Sequence, residues 1–211
     1  IGAAYGSAGE RCMAISVVVA VESVADELCG LLTKKAESLK IGPGNEPENE
    51  MGPLITDDHK NKVIDYIQQG EDAGATVLLD GRDHEVTSKP GFFLGPTLFD
   101  HVNPEMSIYK EEIFGPVLVV LRVKDFNAAI KLANEHQFGN GVAIFTNQGS
   151  KAREFVHSVE VGMVGINVAI PVPLSFYTFG GWKDSIFGSS NIYGMDGIRF
   201  FTRTKTVTAR W

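Results

Sequence analysis

The sequence predicts an α/β fold in three layers, with a mostly parallel sheet and helices on both faces. Short β-branched runs alternate along the chain with helical patterns of about ten or more residues, an order typical of parallel sheets. The chain of 211 residues is 44% hydrophobic and 21% charged, as expected of a globular protein with its own core. Its longest apolar runs, such as 14–21, are far shorter than the roughly 20 residues that cross a bilayer, so we expect no membrane association.

The predicted elements follow one another from the first residues. A buried strand is expected over 15–21 and an amphipathic helix over 24–39, where apolar residues recur at helical spacing. After a loop rich in Gly and Pro at 41–53, a second helix is expected over 56–73, with Gly74 as its C-cap. The remaining expected strands are 76–79, 92–98, 113–123, 141–146 and 161–167, and the remaining expected helices are 125–136 and 150–159.

Cys12 is the leading candidate for chemistry. Ser7 and Glu10 have the spacing of a capping box, which predicts a helix N-terminus just before Cys12. The partial positive charge of a helix start and the adjacent Arg11 would favour a thiolate, the nucleophile of cysteine enzymes. On these local features alone, a buried structural cysteine is the favoured interpretation. Cys29 falls in the middle of a predicted helix beside its apolar stripe, and we expect it in the core.

The run 110–116, Lys-Glu-Glu-Ile-Phe-Gly-Pro, is the second candidate. Glu111 and Glu112 would face opposite ways on an extended segment, so only one carboxylate can point at a given site. A carboxylate can accept hydrogen bonds from the hydroxyls of a ribose, as in dinucleotide-binding folds. A solvated start of a strand is the commoner explanation of such a pair.

Several other kinds of site find no support in the sequence. The formal net charge of −7 argues against a nucleic-acid partner, which needs a basic surface. A phosphate-binding pattern starts at Gly139, but Ile144 stands where its third glycine belongs. The five histidines are scattered and the two cysteines are too few for a cysteine-rich zinc site, so no metal is expected.

Several motifs, taken together and in order, resemble the aldehyde dehydrogenase superfamily. The run 9–14, Gly-Glu-Arg-Cys-Met-Ala, resembles its nucleophile motif, and 110–117 resembles its cofactor-facing strand. The runs similar to its later markers are 141–146, 165–167 and 179–183. The resemblance extends from Ile1 to Trp211, and the combination of motifs makes it specific.

The segments 170–174, 182–188 and 204–211 further resemble the CoA-acylating methylmalonate-semialdehyde dehydrogenase subfamily, which acts on malonate and methylmalonate semialdehydes. This resemblance implies that the Cys12 thiolate attacks the aldehyde and that NAD oxidises the hemithioacetal to a thioester. The acyl group would then pass to coenzyme A, giving acetyl-CoA or propionyl-CoA after loss of the substrate carboxylate. The Cys12 backbone N–H, at the predicted helix start, would stabilise the oxyanion. A hydrolytic aldehyde dehydrogenase and a non-catalytic assembly domain are the alternatives.

The resemblance also implies roles for individual side chains. Glu112, chosen over Glu111 by its spacing to the Ile-Phe-Gly-Pro that follows, would bind the nicotinamide ribose. Phe114 would pack near the nicotinamide, and Phe179 would line the substrate tunnel. Arg11 is a candidate for binding the substrate carboxylate, because a guanidinium offers a bidentate fork. A salt bridge on the helix surface or between domains is an equal alternative for Arg11.

Complete chains of this family are more than twice as long, and their N-terminal half carries a Rossmann-like cofactor domain. We therefore expect residues 1–168 to form the catalytic domain and 169–211 to complete it, with the cofactor domain absent and the isolated chain inactive. The segment 202–210 is expected to be a strand at a subunit interface of a homodimer or homotetramer. The expected location is the cytoplasm in a bacterium or the mitochondrial matrix in a eukaryote.

Overall fold

The computed structural model describes all residues from Ile1 to Trp211 and divides them into two compact units, Ile1–Ala133 and Asn134–Trp211. The helices are α1 (Gly2–Tyr5), α2 (Glu22–Glu37), α3 (Asp57–Asp72), α4 (Ser107–Lys110), α5 (Phe126–Glu135), α6 (Gly149–Ser158) and α7 (Gly194–Phe201). None of these helices combines the length and apolar character that a membrane span requires. The domain boundary expected at 168/169 lies within the second unit.

A four-stranded sheet forms the centre of the first unit, in the order β1-β4-β3-β2. Its strands are β1 (Val17–Val21), β2 (Thr76–Leu79), β3 (Thr97–Asp100) and β4 (Val117–Val123). Strand β4 pairs in parallel with β1 and with β3, whereas β2 adds an antiparallel edge. The first five residues of β4 are all buried, as expected of a central parallel strand that is covered on both faces.

Helices cover both faces of this sheet, which confirms the predicted α/β class. Phe99 and Asp100 are successive residues of β3 and therefore point to opposite faces. On one face, Arg122 of β4 connects the Asp100 carboxylate with Asp26 of α2, since its Nη2 lies 2.7 Å from an oxygen of each. On the other face, α3 brings Gly70 so close to the Phe99 ring that a Cβ on Gly70 would lie 3.1 Å from Phe99 Cζ.

Helix α3 is capped at both ends, and the predicted C-terminal Gly74 is one of the two caps. The Thr56 hydroxyl accepts a hydrogen bond from the His59 backbone N–H at 3.2 Å, which satisfies one of the N–H groups left open at the helix start. Two aspartates occupy the first turn, where the helix dipole favours negative charge. Gly74 follows the last turn at φ +90°, a conformation that ends helices.

Two strands begin later than the sequence predicted. The strand expected at 92–98 begins at Thr97, and the strand expected at 113–123 begins at Val117. Each is preceded directly by a Gly-Pro pair. Since proline has no backbone N–H to donate to a neighbouring strand, the ladder can start only after it.

The second unit contains two small sheets. Strand β6 (Gly141–Ile144) pairs in parallel with β7 (Met163–Ile166), and α6 connects them. Strand β5 (Phe138–Gly139) pairs antiparallel with β8 (Trp182–Lys183). Residues 202–211 are exposed and lie outside every helix and strand, so the strand expected at 202–210 does not form within this chain. A β-strand needs a neighbouring strand with which it can form hydrogen bonds. The place of residues 202–210 at a subunit interface stays a prediction.

Candidate functional site

Cys12 lies in the turn that connects the first helical turns with β1. Its side chain is exposed, whereas Cys29 is only 5% exposed and belongs to the core of the first unit. The prediction for Cys29 is thus confirmed, and the interpretation of Cys12 as a buried structural cysteine is wrong. Of the two thiols, only Cys12 is open to a small molecule.

The helix predicted to begin before Cys12 is not formed. The chain instead makes a 3₁₀ turn over Gly6–Gly9, and residues 11–13 form a further turn. Ser7 accepts the Glu10 N–H at 3.0 Å with its backbone carbonyl, so its side chain does not cap a helix. The helix dipole and the helix-start N–H that were expected to assist Cys12 are therefore absent.

Three successive residues before Cys12 adopt left-handed backbone conformations. Ser7 and Ala8 each have φ 54°, and Gly9 has φ 72°. For residues with a side chain this conformation costs roughly 1–2 kcal/mol each, so the surrounding structure must hold it. The preceding α1 is anchored by buried Tyr5, whose hydroxyl donates to the Thr97 carbonyl at 3.0 Å.

Gly9 joins the two candidate motifs. A Cβ on Gly9 would clash with the Gly115 carbonyl oxygen and would lie 3.2 Å from the Pro116 nitrogen. Only glycine permits this approach, because it has no Cβ and tolerates a positive φ. The turn that carries Cys12 is therefore packed directly on the segment 111–116, which we call the Glu112 loop.

The Glu112 loop lies between α4 and β4, so the predicted cofactor-facing strand is a loop at this point. Ile113 is 4% exposed and anchors the loop in the core. Glu112 and Phe114, on either side of it, are exposed, and Phe114 has a left-handed φ of 58°. The carboxylate and the aromatic ring are thus both open to a ligand.

A contact network that sequence reasoning missed connects the same segments. His59 Nε2 lies 2.7 Å from the Phe114 carbonyl oxygen and 3.6 Å from Glu10 Oε1. The Glu10 side chain is only 8% exposed, and burial raises the pKa of its carboxyl, a shift that the Ile55 backbone and His59 partly oppose. These residues are far apart in the sequence, and no local pattern signals their contact.

We expect Glu10→Gln to stabilise the chain at neutral pH. Burial raises the Glu10 pKa in the folded state, so the folded chain holds this proton more tightly than the unfolded chain, and stability falls as pH rises through that window. Glutamine carries no charge, so the variant should become more stable than the wild type as pH rises above about 4.3, the usual Glu pKa. This difference in stability is measured from the midpoints of urea unfolding of the variant and the wild type at pH 4 and at pH 7.5. The exposed Glu48→Gln is the control; an equal Glu10→Gln effect at both pH values would contradict the expectation.

Arg11 is held by the first helix. Its Nη2 donates to the carbonyls of Gly2 at 2.6 Å and Ala3 at 3.3 Å. Its Nε is buried without a hydrogen-bond partner. The structure thus gives Arg11 an intrachain anchoring contact rather than a salt bridge, and its role toward a substrate stays a prediction.

Phe179 belongs to the second unit. It is half-buried, and its ring centroid lies 6.1 Å from that of Tyr193. Its predicted place in a substrate tunnel is not tested by these contacts. Nowhere in the chain do three or more His, Cys, Asp or Glu side chains gather as a metal centre.

The comparison with known families decides the identity of the chain. The profile of the aldehyde dehydrogenase family matches residues 1–207. The chain belongs to the aldehyde dehydrogenase family. The resemblance predicted from the sequence motifs is thereby confirmed.

Individual members of the aldehyde dehydrogenase family match the whole chain. Malonate-semialdehyde dehydrogenase of Pseudomonas aeruginosa is 54% identical over 213 aligned residues, which cover 100% of this chain and 43% of that protein. A protein designated methylmalonate-semialdehyde dehydrogenase from Sinorhizobium meliloti, solved in complex with NAD, is 50% identical with a TM-score of 0.97, over 100% of this chain and 43% of the other. For the methylmalonate-semialdehyde dehydrogenase of Oceanimonas doudoroffii the identity is 52% and the TM-score 0.96, at the same coverage. This aldehyde dehydrogenase chain spans less than half the length of these relatives.

Proposed function

We propose that this chain is the catalytic portion of an NAD-dependent, CoA-acylating dehydrogenase of malonate or methylmalonate semialdehyde. The observation that carries the proposal is the packing of the exposed Cys12 turn on the Glu112 loop through Gly9. An exposed thiol and a loop with an exposed carboxylate and aromatic ring are thereby neighbours in one compact unit. The names of the relatives support the substrate class. The remainder of the NAD site would lie in the part of these relatives that the chain does not span.

The Glu112 loop fits a nicotinamide nucleotide. The exposed Glu112 carboxylate has two oxygens that can accept the hydroxyls of a ribose. The Phe114 side chain is 39% exposed and offers an apolar surface beside it. Bound NAD would supply the acceptor for the hydride that leaves the substrate.

Cys12 performs the covalent chemistry in this proposal. Its thiolate forms a carbon–sulfur bond to the aldehyde carbon, and the carbonyl oxygen becomes the oxyanion of a hemithioacetal. Oxidation of this adduct restores the carbon–oxygen double bond and leaves a thioester on Cys12. Transfer of the acyl group to the thiolate of coenzyme A breaks that thioester and returns the Cys12 thiolate. The exposed position of Cys12 leaves room for both reactants.

Arg11 would bind the carboxylate of the semialdehyde. It is the neighbour of Cys12, and its Nη2 is fixed by the carbonyls of Gly2 and Ala3. A guanidinium already held in one orientation loses less freedom when it binds a carboxylate. Phe179 would line the passage by which this substrate enters.

The dependence of NADH formation on coenzyme A tests the proposal. A full-length enzyme that carries this chain should show continuous NADH formation from malonate semialdehyde only with coenzyme A present. Without it, NADH should stop after about one equivalent per active site, because the thioester on Cys12 accumulates. Equal steady rates with and without coenzyme A would contradict acyl transfer to coenzyme A and favour the hydrolytic alternative. The 211-residue chain alone is expected to form no NADH.

A further inference from the structure

Helix α3 approaches the Glu112 loop at two points, and neither belongs to the motifs identified in the sequence. His59, in the first turn of the helix, places Nε2 2.7 Å from the Phe114 carbonyl oxygen. One turn later, Val63 packs against Gly115, where an added Cβ would lie 2.7 Å from Val63 Cγ2. Val63 is fully buried, so this end of α3 is firmly seated against the loop.

The conformation of Phe114 depends on such support. Its φ of 58° is one that residues with a side chain rarely adopt. The hydrogen bond from His59 ends on the carbonyl of this same residue. The loop also has backbone hydrogen bonds at its two ends, where the Glu111 N–H donates to the Ser107 carbonyl at 2.9 Å and the Thr97 N–H donates to the Pro116 carbonyl at 2.8 Å.

Glu10 connects this bond to the turn that carries Cys12. Its Oε1 lies 3.6 Å from His59 Nε2, and the Glu10 and His59 side chains are 8% and 23% exposed. This contact is an ion pair when the imidazole is protonated, and a partly buried ion pair is screened by salt less than an exposed one. Glu10 stands only two residues before Cys12. His59 therefore contacts both the Glu112 loop, through Phe114, and the turn that carries Cys12, through Glu10.

We propose that His59 is a positioning residue for the nicotinamide-binding loop. By donating its Nε2–H to the Phe114 carbonyl it holds Phe114 in the left-handed conformation, and through Glu10 it fixes the distance between this loop and the nucleophile turn. The proposal rests on the proposed function, since it assigns the loop to NAD. His59 acts through Phe114 and does not take part in bond formation.

Three variants separate the hydrogen bond from the bulk of the ring. His59→Gln keeps an N–H donor at a similar reach, whereas His59→Leu removes the donor. His59→Asn is a second loss variant, because its shorter amide stays polar but does not reach the Nε2 position. The exposed His157→Leu in α6 is the control.

Two readouts are needed. In the 211-residue chain, the ¹³Cα and ¹³Cβ chemical shifts of Phe114 report its backbone conformation without any ligand. In a full-length enzyme, the KM for NAD and kcat are measured separately. We expect His59→Leu and His59→Asn to move the Phe114 shifts and to raise the KM for NAD by about five- to tenfold with a smaller change in kcat, the range that one hydrogen bond supplies. His59→Gln and His157→Leu should have the same Phe114 chemical shifts and the same KM for NAD as the wild type.

The possible failures can be told apart. The inference would be overturned if the Phe114 chemical shifts of His59→Leu and of His59→Asn both equalled those of the wild type. It would also be overturned if His59→Gln changed the Phe114 shifts and the KM for NAD as much as His59→Leu does. Moved shifts with an unchanged KM for NAD in an active enzyme would also overturn it. If the wild-type full-length protein does not oxidise the semialdehyde with NAD, the proposed function fails, whereas the Phe114 shifts still decide whether His59 holds the loop.

Discussion

Replacing Cys12 with serine is expected to lower NADH formation by a full-length enzyme about 10⁴-fold or more, the loss seen when a covalent nucleophile is removed. A serine hydroxyl stays protonated at neutral pH, whereas a cysteine is intrinsically nucleophilic and partly ionised. The exposed turn at Cys12 would accept serine without repacking, so the folded structure should be preserved. Steady-state rates with malonate semialdehyde, NAD and coenzyme A measure the effect.

Cys29 provides the matched control. Cys29→Ala removes a thiol that is 5% exposed, and it should cost about 1 kcal/mol of stability while activity per folded molecule stays unchanged. In the 211-residue chain, a thiol probe should label Cys12 at once and Cys29 only when α2 opens. A Cys12→Ser enzyme with substantial activity, or equal labelling of both cysteines, would contradict the assignment of the nucleophile.

The first unit could be predicted where local signals agree with the fold. The β-branched run that becomes β1 and the apolar run that becomes β4 pair in parallel, in agreement with the mostly parallel sheet predicted from the alternation of strands and helices. Thr56 and Gly74 mark the ends of α3 by side-chain capping and by a left-handed φ, both of which are encoded within a few residues. The signals for such elements lie within the segment itself, so they can be found from the sequence alone.

The helix start predicted before Cys12 failed because of a contact between residues that are distant in the sequence. Ser7 and Glu10 have the spacing of a capping box, but the packing of Gly9 on Gly115 directs the chain into a left-handed turn instead. The sequence also contains no signal for the contact of His59 with Phe114, because 55 positions separate them. Helix α7 was missed for a different reason: it contains two glycines and lies in a segment rich in turn residues.

The same contact at Gly9 supplies the second large prediction. Gly9→Ala should lower the stability of the chain by about 2–5 kcal/mol, since it adds the cost of a left-handed alanine to that of overpacking. The clash is with the backbone carbonyl of Gly115, which cannot rotate away as a side chain would. Relief requires the Glu112 loop to move away from the Cys12 turn, so NADH formation in a full-length enzyme should fall as well. Urea unfolding followed by circular dichroism measures the first effect.

Gly74→Ala separates the two causes of this loss. Gly74 has φ +90°, and a Cβ added there would meet nothing within 4 Å, so this variant has the conformational cost without the clash. It should lose only about 1–2 kcal/mol and keep its activity per folded molecule. If Gly9→Ala were no more destabilising than Gly74→Ala, the two motifs would not be in rigid contact. The assembly of one site from the nucleophile turn and the Glu112 loop would then lose its main support, because the proposal rests on the close packing of Gly9 against Gly115.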